Sequence, residues 1–472
     1  MSIREAQQPQ VLVMGAGNIG DAYAQIASRQ LTGVQFTVAD YNLQRAQQTT
    51  AGLNGFTAVQ VNARDPQSLA QLIGARRPNI VVDLLHPHFA PTIAVAALAG
   101  GAHYVSTAQS ESGPGKQLGD DMYALNGAFE KRGLVGVVDM GADPGISLLL
   151  MQRQLREAHN GGQKVNQVTI FDGSNCAWKT GRRRPPMAGF AYQVFVDECT
   201  KEGLVWSDEG GMEYTPPLSR GVAFPFGGSI GTQRGLHAQH EEIVDTDWAV
   251  QHSDGWLRSA LSGTKEVSFQ YGMDDDLYGL LKGIMATGMH VHEAIDLGKD
   301  PHTRAGYVRA VAQKMGAEDM LSDPQTCELF RRFGLLSSQR LLSMPRTPLD
   351  FFTQIQPPPN PREMMSGESD IGVYVRTDRG AVFDSHRMTE DDAQRRYGRG
   401  LVPVQTAAGP VVATQMLLDG EWKHPGVHSP LELPTEEAIS KWGDIVGPCS
   451  TRDMTADGAI YRCWDPTNHP LT

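Results

Sequence analysis

The stretch Val11-Leu12-Val13-Met14-Gly15-Ala16-Gly17-Asn18-Ile19-Gly20 constrains what this chain can fold into. Its apolar run reads as a buried strand. Three glycines in G-x-G-x-x-G spacing follow, and then a helical run, Asp21 to Gln30. Gly15 permits the tight turn out of the strand, Gly17 lets a pyrophosphate approach the backbone, and Gly20 lets helix and strand pack closely. The helix N-terminus, at Asn18 and Ile19, offers N–H groups and a positive dipole end to phosphates. A second apolar strand, Val34–Ala39, ends in Asp40, 20 residues beyond Gly20. A carboxylate there binds the adenosine ribose hydroxyls. It also repels a 2′-phosphate, which puts NAD ahead of NADP. Arg45, one helical turn past the strand, reads as facing solvent.

A chain of 472 residues is too long for one core, so two or three domains are expected. With 41 basic against 53 acidic residues, the net charge of −12 disfavours nucleic acid and anionic membranes as partners. The one basic cluster, Arg182-Arg183-Arg184, sits in a Gly/Pro loop and reads as solvated or as an anion clamp. No run of 18 apolar residues predicts a membrane span. The N-terminal MSIREAQQPQ lacks the apolar core of a signal peptide. Five scattered cysteines without CxxC spacing predict free thiols, a reducing cytosol and no structural zinc.

Residues 1 to about 145 alternate strand and helix signals, which argues a parallel doubly wound sheet. The third strand, Thr57–Val61, places Asn62 near the adenine. The fourth, Ile80–Leu84, exits at Leu85-His86-Pro87-His88, on the carboxyl edge where such sheets bind ligands. His103–Ser106 and Leu134–Val138 are the fifth and sixth strands, with a long amphipathic helix, Lys116–Arg132, between them. After Gly141-Ala142-Asp143-Pro144-Gly145 the pattern changes. A helix, Ile146–Glu157, leads into strands without long helices between them: Val165–Phe171, Ala191–Asp197, Gly203–Trp206, Gly221–Phe226 and Val267–Tyr271. Three helices follow, at Asp275–Gly288, Thr303–Met315 and Pro324–Phe333, and then a break at Pro357-Pro358-Pro359. Ile371–Arg376 and Ala381–Ser385 flank a hairpin turn. Ala407–Leu418 is an apolar helix, and the tail holds one short strand candidate, Ala459–Cys463.

Several separate pieces over roughly residues 10–435 resemble the saccharopine dehydrogenase-like oxidoreductases, which include saccharopine reductases and lysine 6-dehydrogenases. Gly141–Ser147 is similar to the family's G-x-D-P-G-[ILM] segment. Phe224-Pro225 with His237-Ala238-Gln239-His240-Glu241-Glu242 resembles its FP…H-x-E stretch. Phe333–Leu336, Pro348–Phe351, the 371–385 strand pair, Gly409–Leu418 and Gly426–Glu432 resemble later pieces. The resemblance implies a discontinuous Rossmann domain, 1–145 with 405–440. An inserted mixed α+β domain, 146–404, carries the substrate site and a homodimer interface, and 441–472 form a C-terminal extension. It implies hydride transfer at the CH–NH group of an amino-acid-derived amine, with NAD or, second, NADP. A carbon–nitrogen bond-forming synthase of the homospermidine synthase type, with NAD as prosthetic group, is the alternative. A non-catalytic nucleotide-binding protein is a third reading. The chain departs from the family at Gln270-Tyr271-Gly272-Met273-Asp274, where an Arg- and His-containing segment is expected. Lysine and saccharopine are therefore not assumed as substrates.

Hydride transfer needs a held carbon, excluded water and a managed proton, and histidine is the commonest side chain for the last task. His86 sits at the fourth strand exit, where the nicotinamide is expected, and reads equally as a helix cap. Asp143 lies at the domain junction and reads as a cleft residue or as the cap of the helix Ile146–Glu157. His240 with Glu241 or Glu242 reads as an acid–base pair, an ammonium site or a charged surface strand. The HxxH of His237 and His240 is too little for a metal site. Tyr104, Ser106 and Thr107 close the fifth strand at the ligand edge. The expected catalytic set is thus His86, Asp143, His240 and Glu241. The expected cofactor set is Gly15, Gly17, Asn18, Ile19, Gly20, Asp40, Asn62, Leu85, Thr107 and Gly145, without a metal.

Overall fold

In the computed structural model a β-carbon at position 20 would lie 2.1 Å from the Gly15 carbonyl oxygen. Helix 18–30 therefore touches the turn before it backbone to backbone. Gly15 itself takes φ +105°, which L side chains rarely adopt. The structure describes residue 3 and residues 8–110, 117–178, 192–219, 222–253, 255–298, 301–355 and 365–454. The arginine cluster 182–184, the proline break 357–359 and the strand candidate 459–463 lie outside the described residues.

The turn joins β1 (Gln10–Met14) to that helix, and β2 (Gln35–Asp40), β3 (Phe56–Gln60), β4 (Ile80–Asp83), β5 (His103–Ser106) and β6 (Val135–Val137) follow. All pair in parallel, in the order β6-β5-β4-β1-β2-β3. This is the doubly wound arrangement read from the alternation. The helices between strands begin on side-chain caps. Asn42 accepts from the Arg45 amide at 3.3 Å, and Asp65 from the Gln67 amide at 3.0 Å, with Pro66 in the first turn.

The second sheet holds β7 (Val165–Ser174), β9 (Gly203–Ser207), β10 (Gly211–Thr215), β11 (Val222–Gly227), β12 (Gly231–His237), β13 (Glu266–Met273), β15 (Glu368–Thr377) and β16 (Ala381–Thr389). Two short strands, β8 (Ala177–Trp178) and β14 (Met365–Ser366), pair separately. In the second sheet β13 runs parallel to β7, and its other pairs are antiparallel. The final segments return to both sheets. Strand β17 (Gly426–His428) extends the first sheet beside β6, and β18 (Ser450–Asp453) extends the second beside β16.

Several elements differ from the sequence reading. The segment 191–197 is not a strand but the start of a helix, Tyr192–Thr200. Short apolar runs do not distinguish the two periods. Among the described residues the long helix expected at 116–132 is two short ones, Asp120–Tyr123 and Asn126–Arg132, and Gly119, outside the helical region at φ +83°, sets where the first begins. The helix expected at Ala407 begins at Leu401. Pro403 falls in its first turn, where proline is tolerated, and Pro410 lies inside it. By length and composition this helix is apolar enough to cross a membrane, unlike the expectation, but it is buried against helix 18–30. Tyr23 Oη and Thr414 Oγ1 meet there at 3.0 Å. The tail past 435 supplies a helix, Glu436–Val446, as well as β18.

The contact at position 20 gives a direct test. Gly20→Ala should lower stability by roughly 1–3 kcal/mol in urea unfolding, the scale of overpacking. Gly17→Ala should unfold with the wild type, since a β-carbon there meets nothing within 4 Å. Equal unfolding of the two variants would refute the packing argument.

Candidate active site

Where the two sheets meet, a cavity of about 380 Å³ opens at the carboxyl edge of the first. The cofactor side contributes Ile19, Leu84, Leu85, His86 and Thr107. Loop Gly141–Pro144 forms the joint. The far side comes from β7 (Asp172, Ser174), helix 192–200 (Val194, Phe195, Glu198), β13 (Tyr271, Gly272) and helix 401–419 (Val402, Gln405, Thr406). His240 and Glu241 complete it from the start of helix Glu241–His252. That segment, read as strand or loop, is a helix N-terminus.

His240 is the hub. It is buried, its ring stacked 3.7 Å from Phe269, and its Nδ1 is bonded to the buried Glu242 Oε2. Ser147 Oγ holds the other Glu242 oxygen at 2.8 Å. On the far side, Tyr271 Oη lies 3.3 Å from His240 Nε2 and donates to Glu198 Oε2 at 3.0 Å. A hydrogen-bonded line thus runs Glu242–His240–Tyr271–Glu198 and ends at the cavity.

Burial works against a charged His240, but Glu242, Glu241 and Glu198 outweigh it and hold the ring protonated, well above its ordinary value. Burial pushes the Glu198 carboxyl up to about 7 against the pull of His240. Burial likewise raises Asp172 to about 6, opposed by His240. Asp172 and Asp143 share a hydrogen bond, and burial with repulsion from Asp172 raises Asp143 well above the carboxylate range. Glu241 is raised by burial. The groups that titrate near neutrality are therefore carboxyls, and the histidine is the cation among them.

The expected site residues fall into three sets. His86, Asp143, His240 and Glu241 converge on the cavity, as do Ile19, Leu85 and Thr107. His86 also serves as the cap foreseen for it: its Nδ1 accepts from the His88 amide at 3.4 Å. Asp143 does not cap helix Ile146–Asn160, because Gly145 precedes that helix and Asp143 is turned to the cavity. Asp40 and Asn62 line a neighbouring pocket with Tyr41, Arg64, Leu85 and Phe89. Arg64, rather than Arg45, is the cation at that end. Gly15, Gly17, Asn18 and Gly20 form the turn and helix start, and Gly145 does not line the cavity. Tyr104 is buried and donates to Asp83 at 3.0 Å, and Ser106 closes a turn onto the Ala108 carbonyl at 2.8 Å. His237 meets Thr215 at 3.3 Å, away from the His240–Glu242 pair. Asp172, Glu198 and Tyr271 were not among the expected residues. A carboxylate closing the apolar run of β7 was the available signal for Asp172. For Glu198 it was the helical spacing from Val194.

The cofactor end fits a dinucleotide on its geometry. The space beside Gly17 is open, and Gly15 and Gly20 bring the helix start against the turn. Asp40 Oδ2 accepts from the Ala16 amide and Oδ1 from the Asn42 amide, both at 2.7 Å. The carboxylate thus braces the glycine turn. Residues 11–137 match the family model described as the saccharopine dehydrogenase NADP binding domain. The first domain is thus similar to the cofactor domain of the saccharopine dehydrogenases. The same match points to NADP, where Asp40 alone had put NAD first. A saccharopine dehydrogenase [NADP(+), L-glutamate-forming] of Schizosaccharomyces pombe is 23% identical over 165 residues, 35% of this chain and 34% of that one. The match thus spans about a third of that relative's length. A carboxyaminopropylagmatine dehydrogenase of Synechocystis is 19% identical over 451 residues, 92% of this chain and 95% of that one. The solved saccharopine dehydrogenase (L-Glu forming) of Saccharomyces cerevisiae superposes with TM-score 0.70 at 16% identity, covering 94% of this chain and 99% of that one. A homospermidine synthase of Legionella pneumophila, solved with NAD, gives 0.56 at 13% identity, covering 97% and 92%. These likenesses establish the α/β fold.

The raised carboxyls carry a stability consequence. Folding lifts Asp172 from its ordinary value to about 6, so the folded state binds more protons in that interval and loses stability as pH rises through it. Asp172→Asn removes that penalty. It should stabilise the protein by roughly 1–3 kcal/mol at pH 8 and by much less near pH 4.5. Urea unfolding at the two pH values reads the difference, and an Asn variant less stable at pH 8 would overturn the assignment.

Proposed function

We propose that the protein is an NAD(P)-dependent oxidoreductase acting on the CH–NH group of an amine or imine derived from an amino acid. One observation carries the reading. A single cavity is lined by Ile19, at the helix start of the glycine turn, at one end and at the other by Glu198, Tyr271 and His240 of the hydrogen-bonded line that runs on to the buried Glu242. A dinucleotide held by its pyrophosphate at the turn would supply the hydride chemistry through its nicotinamide. The chain's own residues manage the proton and the orientation. An ammonium must become neutral before the adjacent carbon can give up hydride. Glu198, titrating at about 7, takes that proton at its carboxylate. Tyr271 Oη connects Glu198 to the charged His240, which stabilises the ionised form of Glu198. Asp143 and Asp172 hold the nitrogen end of the substrate, and Leu85, Phe195 and Ile371 exclude water.

For the cofactor we propose that NADP is accepted. Both Asp40 oxygens are engaged by backbone amides, and Arg64 lines the same pocket, which supports a guanidinium partner for a 2′-phosphate. Arg64→Ala should weaken NADPH binding about tenfold in fluorescence titration and leave NADH unchanged. Equal loss for both would remove Arg64 from the phosphate site.

The pH profile tests the proton assignment. The rate of amine oxidation should rise with pH through about 7 as Glu198 ionises. Glu198→Gln should lower kcat by roughly 10²–10⁴ and abolish that limb. Tyr271→Phe should slow turnover while leaving the melting temperature near that of the wild type. An intact limb in Glu198→Gln would move the base elsewhere. Amine consumed without net change in the cofactor would indicate the bond-forming synthase instead. Tight cofactor binding with no turnover over a broad panel of amines would favour the non-catalytic reading.

A further inference from the structure

Resting on the reading of this cavity as an amine oxidoreductase site, a further step follows from the charge of its walls. Asp143, Asp172, Glu198 and Glu241 all line it, and no Lys or Arg does among the described residues. The one cation, His240, is already matched by the buried Glu242. At the adjoining mouth Lys201 and His292 are both committed to Asp197, at 2.6 Å each. Four carboxyl groups therefore face the cavity in excess of protein cations.

A second, independent feature asks for a hydrogen-bond donor. Gln405 lines the cavity and is 1% exposed, yet its Oε1 has no partner. Its Nε2 lies 3.0 Å from His386 Nδ1. Burial lowers His386 to about 4, so its ring is neutral. The Gln405 amide nitrogen can only donate, so Nδ1 accepts from it and the amide oxygen remains an unpaired acceptor. A buried acceptor left unmatched is costly unless a donor arrives. Val194, Phe195, Leu277 and Ile371 supply apolar wall beside the carboxyls, which suits methylene runs.

We propose that this cavity selects a linear aliphatic di- or polyamine carrying two or more protonated nitrogens, and rejects multiply carboxylated amino acids such as saccharopine. A substrate with several carboxylates would find no Lys or Arg on the described walls to pair with, only carboxyl groups that cannot ionise beside it. A polycation instead favours the ionised form of these carboxyls and pairs with it, donates to Gln405 Oε1 and lays its methylenes on the apolar wall.

The test uses the full chain with NADPH or NADH bound and compares spermidine, putrescine, butylamine and saccharopine by calorimetric titration. Affinity should fall from spermidine to putrescine to butylamine by about tenfold per charge lost, and saccharopine should bind most weakly. Glu198→Gln and Gln405→Leu should each weaken spermidine at least tenfold, with folding checked by thermal melting. If either variant fails to fold, the wild-type ranking still decides. Saccharopine binding as tightly as spermidine, or no dependence on charge number, overturns the proposal. Cofactor oxidation or reduction is followed separately. The charge ranking without turnover keeps the substrate class and removes the oxidoreductase reading. Turnover of saccharopine but not of the amines does the reverse.

Discussion

A positive charge buried against an aromatic ring sets the chemistry of this protein. His240 is nearly inaccessible and lies flat on Phe269, a position in which an imidazolium alone could not persist. Glu242 makes it possible, and Ser147 fixes Glu242 in turn. This pair is neutral as a unit, but its positive end faces the cavity and its negative end faces the core. The cavity carboxyls therefore sit in the field of His240, which pulls Asp172 and Glu198 down from the values that burial alone would impose. Without it burial would raise these carboxyls further. With it, two of them titrate where an enzyme needs a base.

The cofactor end was legible in the sequence, and the opposite end only in part: Asp143, His240 and Glu241 were named, but Asp172, Glu198 and Tyr271 were not, for a reason of distance along the chain. The glycine turn is a local device. Its strand, turn, helix start and Asp40 lie within 30 residues, and the physical demands on Gly15 and Gly20 are backbone demands that no other residue meets. The cavity end is assembled by pairing. The parallel register of β13 on β7 sets Tyr271 directly beside Asp172, across about 100 residues of chain. The register of β15 puts Ile371 on its other side. No periodicity within either strand announces that meeting. Glu198 was hidden for a second reason. In an extended segment it would face away from Phe195, three residues back, and only in a helix do Val194, Phe195 and Glu198 share one face.

The departure at Gln270–Asp274 also changes meaning in three dimensions. Read linearly, it is the loss of an arginine and a histidine expected by resemblance. In the fold, Tyr271 of this same segment joins His240 to Glu198, Gly272 lines the cavity, and Asp274 caps the following helix at the Leu277 amide, 2.7 Å away. The segment is thus a working part of the wall with its cationic groups removed. Where a guanidinium would pair with a substrate carboxylate, this chain presents a phenol and small backbone.

The joint between the two ends is held by backbone contact rather than by side chains. A β-carbon at Gly409 would lie 2.2 Å from the Met140 carbonyl, so helix 401–419 rests directly on the loop that carries Asp143. The Met140 amide bonds to Ser106 at the end of β5, and the Gly141 amide to the Pro144 carbonyl. The loop is therefore fastened to the cofactor sheet on one side and to the helix bearing Gln405 on the other. Such contacts have no slack, because backbone atoms cannot repack as side chains do. Asp143, Gln405 and the cofactor turn are consequently fixed relative to one another by the same few atoms. Hydride transfer depends on placing a carbon against the cofactor to within a fraction of an ångström. A rigid joint of this kind lets carboxyls that hold a substrate's nitrogens also determine where its reacting carbon lies.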